Sequence, residues 1–188
     1  MFLDFVLLGI IIGWLRGGRL RHVASLDLRW IPAILAAFLL QSAFGLAVQW
    51  GWVALVPYAP YLYLFSFLLL LAAVWMNRDK PELLVMGAGV LANFIAIAAN
   101  GGKMPVSAEA VLRLGGPGAL RRMEAGTDLF HQLADSSTRF AFLGDWLTLP
   151  PPYPRTIVFS VGDVLLGVGL VFLIQRAMKA GAGTRSSG

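Results

Sequence analysis

The sequence predicts an all-α membrane protein: a bundle of five transmembrane helices with a small extracytoplasmic cap of short helices and an extended lip. Three observations predict it. Hydrophobic residues make up 58% of the 188 and charged residues only 13%, and the mean hydropathy is +0.74, which leaves too little polar surface for an ordinary soluble domain. The apolar residues gather into runs that can cross a bilayer, since a helix rising about 1.5 Å per residue needs about 20 residues to cover about 30 Å. Tryptophan and tyrosine cluster at the ends of those runs, the depth at which amphipathic rings settle at a membrane boundary.

The first run, residues 2–15, is short for a span, and Met1 and the residues after Leu15 extend it. Gly9 and Gly13 share one face, so another helix can approach closely there. No basic region precedes the run and no small-residue cleavage site follows it, so it reads as a retained helix. Gly17 and Gly18 end it, and Arg16, Arg19, Arg21 and His22 form a basic juxtamembrane arm. The second span covers residues 30–50, with Pro32 tolerated in its first turn and Gln41 as interhelical glue. An uncharged turn leads to the third span, 58–76. The charged loop Arg78-Asp79-Lys80 precedes the fourth, 83–99, which holds Asn93, and the last span is 157–178 with Asp163 inside it. Residues 181–188 read as a disordered tail.

Loop charge sets the expected orientation. Basic residues populate the first loop, the third loop and the C-terminal tail but not the second loop, which puts the N-terminus outside and the C-terminus in the cytoplasm. The formal charge of +5 comes from these scattered topology signals, so no nucleic-acid surface is expected. Cysteine is absent, which excludes disulfides, thiolate metal sites and a cysteine nucleophile.

The long loop 100–155 then lies outside. It opens with Asn100-Gly-Gly-Lys-Met-Pro-Val-Ser107, in which two glycines permit tight turns and Pro105 keeps Met104 extended, an arrangement suited to a lip. Ser107 caps a helix through Leu114, Gly115-Gly-Pro-Gly118 breaks it, and Ala119 to Ala125 forms another. Thr127 caps a third through about Ala134, whose Leu129, Phe130 and Leu133 face the bilayer surface.

Asp145 and Asp163 are the candidate catalytic residues. With the last span starting near Thr156, Asp163 lies seven residues in, about 10 Å below the outer surface, and a carboxylate inside a membrane helix is a functional candidate by default. Asp145, ahead of a proline-rich corner, can fold back over that mouth. Two carboxylates sharing a poorly solvated site leave one acid and one base to activate a water, and Asn100 or Arg139 could orient them or stabilise an oxyanion. The plainer alternative makes Asp163 a helix N-terminal carboxylate favoured by the dipole and Asp145 a solvated turn residue. Asp128, His131 and Asp135, spaced to share one helical face, are the weak metal candidates. No cofactor is expected, because His22 and His131 fall on opposite sides of the membrane and cannot share a haem. Proton conduction through Asp163, Asn93 and Gln41 lacks enough buried acids for a relay.

Two resemblances bear on these residues. Gly144-Asp145-Trp followed by Phe159-Ser-Val-Gly-Asp163 looks like the C-terminal part of lipoprotein signal peptidases, where an Asp-containing loop precedes a Phe-Asn-x-Ala-Asp helix start; the resemblance implies a catalytic dyad at Asp145 and Asp163. Here Ser160 stands in place of the Asn and Gly162 in place of the Ala. Nearly end to end, through Gly-Trp-Leu-Arg-Gly-Gly, Asn-Gly-Gly-Lys-Met-Pro-Val-Ser and Phe-Ser-Val-Gly-Asp, the chain resembles a family of small bacterial multi-pass membrane proteins of unknown function, which implies the bacterial inner membrane. Two function classes follow. One is a membrane-embedded aspartyl-type hydrolase acting on a lipid-anchored or transmembrane substrate. The other is a non-catalytic subunit of a larger complex, or a bundle binding lipid or another hydrophobic ligand. In either class the bilayer is a partner.

Overall fold

Proline and glycine punctuation delimits the helices of the computed structural model, which describes residues 2–149, 153–154 and 156–179. Helix α1 is Phe2–Leu15, α2 Ile31–Gln49, α3 Ala59–Met76 and α4 Pro81–Ala99. Pro32, Pro60 and Pro81 each sit in the first turn of their helix, where no intrahelical N–H bond is lost. After α4 come β1 (Met104–Val106), α5 (Ala108–Glu124), β2 (His131–Leu133), β3 (Leu147–Leu149), β4 (Ile157–Phe159) and α6 (Val161–Lys179). Among the described residues, α2, α3 with the turn before it, α4 and α6 are long and apolar enough to cross a membrane. At 14 residues α1 falls short of a crossing on its own.

The helices pack in the order α1, α6, α4, α3, α2, so α1 and α2 form the two ends of the row, and of the four long helices α6 is the most buried and α2 the least. Leu35, Phe38 and Leu39 of α2 and Leu68 of α3 point outward and stay exposed, as lipid-facing residues do. The small-residue face of α1 is used against α6: a Cβ on Gly9 would come 3.2 Å from Ile174, and one on Gly13 2.4 Å from the Met178 sulfur. Gln41 bridges α2 and α3, its amide donating to Ser66 Oγ at 2.6 Å. The arm after α1 folds over the end of α6, where Arg19 N and His22 Nδ1 meet the Met178 carbonyl at 2.9 and 3.0 Å and satisfy a group that a helix end leaves open.

Segment 100–159 departs from the expected set of short helices. Gly101 and Gly102, with φ of +70 and +85°, turn the chain sharply after α4, and a Cβ on Gly102 would strike Pro60 at 2.3 Å. That turn launches β1, which pairs in parallel with β2 in the register Met104 with His131. Met104 joins the core of Phe67, Val90 and Ile97 in the bundle, while Val106 joins Ala110 and Val111 in a second core. The strand therefore stitches the two cores together. Ser107 caps α5 through Ala110 N at 3.1 Å, and the expected break appears as a kink at Gly115 and Gly116.

Two expectations are corrected. Residues 127–134 are not a helix, because β1 offers His131–Leu133 a ladder of backbone partners that a surface helix of about two turns would forgo. The last span does not begin at 157: Ile157–Phe159 pairs antiparallel with Leu147–Leu149, and the helix starts at Val161. The tail expected over 181–188, and the proline corner at 150–152, lie outside the described residues.

Candidate functional site

Starting α6 at Val161 places Asp163 in its first turn rather than two turns deep. The local sequence Ser160-Val-Gly-Asp163 then closes a capping box. Asp163 N donates to Ser160 Oγ at 3.0 Å, and Ser160 N donates to Asp163 Oδ2 at 3.1 Å. Helix α4 completes the arrangement. Asn93 Nδ2 donates to Asp163 Oδ1 at 3.0 Å, while Asn93 Oδ1 accepts from Ser160 Oγ at 2.8 Å. Ser160 is fully buried and Asn93 nearly so. Gly162 makes this closeness possible: a Cβ there would lie 2.0 Å from Asn93 Oδ1 and 2.7 Å from the Gly89 carbonyl.

Asp145 reaches the same neighbourhood by a different route. It lines up on the free edge of β1, donating its N–H to the Pro105 carbonyl at 2.8 Å and accepting from Ser107 N at 3.0 Å. Strand β2 holds the other edge, so β1 sets Asp145 and His131 on either side of itself. His131 is oriented by Asp128, whose Oδ1 accepts from the Phe130 and His131 N–H groups at 2.9 and 2.8 Å and meets His131 Nδ1 at 3.0 Å. An acceptor at Nδ1 makes that nitrogen the donor and turns Nε2 toward Asp145, 3.9 Å from its Oδ2. The loop is pinned to α3 by Phe130 packed on Tyr63, ring centres 4.8 Å apart.

The electrostatics differ across this group. Burial pushes the Asp145 carboxyl up, the Asp163 charge adds to it, His131 opposes both, and the result is about 6. Asp145 Oδ1 is buried and accepts no hydrogen bond among the described residues. For Asp128, burial works upward too, but the hydrogen bond and charge of His131 and two backbone N–H groups hold its carboxyl down at about 2. Burial alone would lower His131, and Asp128, then Asp145 and Asp163, raise it instead.

Asp145, His131, Asp128 and Arg122 stand on the wall of a cavity of about 500 Å³ whose remaining surface is largely apolar, including Val111, Leu114, Met123 and Val158. A mostly apolar recess with a few convergent polar groups is the form small-ligand sites take.

The expected supporting residues sit elsewhere. Asn100 and Arg139 do come together, but through the backbone: Asn100 Nδ2 donates to the Arg139 and Ala96 carbonyls, both at 2.7 Å, and its Oδ1 accepts from Arg139 N at 3.0 Å. That amide is fully used in fastening the loop to the end of α4 and has no donor left for an aspartate. The metal grouping fails with the helix that was to present it. Asp135 turns into its own loop, accepting from the N–H and hydroxyl of Ser137 at 2.8 and 2.7 Å, and no three ligand-type side chains among the described residues converge to hold a metal. Asn93, Ser160 and His131 are the contributors that sequence reasoning did not assign to the aspartates. A Ser-x-x-Asp box at 160–163 was the one local signal for Ser160.

A protein of Thermotoga maritima, itself described as uncharacterized, is 26% identical over 177 residues, a stretch that covers 94% of this chain and 92% of that protein. No solved structure matches the chain. The model of the family of unknown function DUF5317 matches residues 25–175, from the arm before α2 to the last turns of α6 and through every residue of the site, and the chain belongs to that family.

Proposed function

We propose that this integral membrane protein is a hydrolase of the aspartyl type, acting at the outer face of the bacterial inner membrane on a substrate with a lipid or other apolar anchor. The observation that carries the reading is Asp145: a largely buried carboxyl with a pKa of about 6 and one oxygen that accepts no hydrogen bond among the described residues, on the wall of a largely apolar cavity, under the influence of a second aspartate. Such a group holds a proton at mildly acidic pH and releases it near neutrality, which suits general acid and base work. In this reading Asp145 and Asp163 alternate as base and acid around one water, Asn93 and Ser160 hold Asp163 in place, and His131 steadies the anionic form of Asp145. The apolar cavity receives the anchor of the substrate. The likeness of the segment around Asp145 and Asp163 to lipoprotein signal peptidases supports the same assignment, and the loop charges support five crossings with the N-terminus outside.

The test is turnover by the purified protein in liposomes, using lipid-anchored peptides and acyl esters as probes. Asp145→Asn and Asp163→Asn, each folded, should lower the rate at least 100-fold. Full turnover by Asp145→Asn would remove the hydrolase reading.

One observation favours a second, non-catalytic reading. Both Asp163 oxygens are engaged within the capping box and by Asn93, as a purely structural residue would be. In that case the cavity is a binding site for a hydrophobic ligand, and Asp163→Asn would leave ligand retention intact.

A further inference from the structure

The opposite end of the bundle carries a recess of about 410 Å³ that the proposed chemistry does not use, between the start of α4 and the last turns of α6. Its lining is divided. Arg16, Arg176 and Lys179 supply positive charge, and Val85 and Phe172 supply apolar wall. Among the described residues Glu82 is the one carboxylate lining it, and Arg176 takes it at 2.9 Å. Arg16 donates to Gln175 Oε1 at 2.5 Å, which holds the guanidinium at the recess without neutralising it. Among the described residues neither Arg16 nor Lys179 has an acidic partner.

Two cations with no acidic partner among the described residues, beside one recess, call for an anion, and the position says which kind. Phe172 precedes Lys179 by seven residues, so it lies roughly 10 Å deeper along α6, with half its surface open. A ligand filling the recess would place charge at the helix ends and hydrocarbon along the apolar flank of two membrane-length helices. A free phosphate would answer only the first demand. Basic pockets between membrane helices hold acidic headgroups for this reason. We infer that this recess binds an anionic phospholipid, its phosphate on Arg16 and Lys179 and one acyl chain along Val85 and Phe172.

The experiment uses the full chain in detergent, with native mass spectrometry counting retained phosphatidylglycerol against phosphatidylcholine of the same acyl chains. The wild type should favour the anionic lipid by roughly tenfold or more, given two cations near the headgroup. Arg16→Gln with Lys179→Gln should bring the ratio near one. The charge-matched Arg21→Gln with Arg78→Gln, cations of the same end outside the recess, should leave it unchanged. If the first pair fails to fold, Lys179→Gln alone, at the exposed helix end, should still reduce the ratio several-fold. Equal retention of both lipids by the wild type would overturn the inference, as would an equal loss in the charge-matched variant. Displacement of the lipid by millimolar inorganic phosphate would show a simple phosphate site and would also overturn it.

Discussion

Asp163 and Asp145 belong to one neighbourhood, yet the two regions that hold them settle a carboxyl group in opposite ways. At the start of α6 the partners are local or one helix away, and every oxygen of Asp163 and Ser160 in the capping arrangement has a mate. At the edge of β1 the backbone of Asp145 is satisfied, while its largely buried carboxyl has His131 at 3.9 Å and one oxygen without a hydrogen bond among the described residues. A helix terminus comes with open N–H donors that favour an acidic group. A strand edge uses its N–H groups on the neighbouring chain and has none to offer the side chain. The first region therefore holds its aspartate fixed by partners, and the second leaves a carboxyl that a ligand or a proton can answer.

Substitutions can break this contrast. The largest effect is expected for Gly162→Ala, whose new methyl would meet Asn93 Oδ1 at 2.0 Å and the Gly89 backbone at 2.7 Å, forcing α4 and α6 apart. Overpacking of this kind costs about 1–3 kcal/mol or more, and backbone on one side leaves little room to adjust. A thermal melt in detergent should show it, and an unchanged melting temperature would mean that α4 and α6 are not packed through this contact. Asp163→Ala should come next, at roughly 2–3 kcal/mol, because it removes a helix cap and leaves the buried Asn93 amide without its acceptor.

The opposite sign is expected at Asp145. Its folded pKa is raised, so its contribution to stability is greatest below the unfolded value of 3.8 and is lost as pH rises through about 6. Asp145→Asn removes that loss and should stabilise the protein by up to about 3 kcal/mol at pH 8 while leaving it unchanged at pH 4. Melts of the variant at the two pH values decide the matter, and destabilisation at pH 8 would count against a strained carboxylate. Asp128 runs the other way: its stabilisation is present above 3.8 and is lost as pH falls through about 2.

The smallest effect sharpens the comparison rather than breaking it. Since His131 draws the Asp145 carboxyl down, His131→Gln should move its titration upward from about 6. The infrared band of the protonated carboxyl, identified by its loss in Asp145→Asn, would report the shift. A titration unmoved in His131→Gln would show that His131 does not act on Asp145.

How much of this could be read beforehand varied with the distance between partners. Gly9 and Gly13 announced a close helix contact because spacing on one helix is a local property, though not that α6 would fill it. Asp163 stands out in the sequence as an acid in an apolar run, but its depth is not legible there, since Ile157–Phe159 reads as membrane helix until β3 is there to pair with it. Asn100 and Arg139 were joined as expected of neighbours to a site and turned out to fasten a loop instead. His131 was placed on a helix with Asp128 and Asp135, and only the parallel register with β1 took it from that face and set it opposite Asp145.

Composition and spacing along the chain determined the membrane-length helices, the prolines in their first turns and the glycine turn after Asn100, because each depends on residues within a few positions of one another. Tertiary structure alone decided that the last helix would start at Val161, that Asn93 would close the Ser160 to Asp163 cap, that Val106 and His131 would bring Asp145 to a cavity wall, and that one of its oxygens would be buried with no partner among the described residues. Those outcomes depend on burial and on contacts between segments 14 to 70 residues apart, and no local pattern encodes the field that several distant groups exert on one carboxyl.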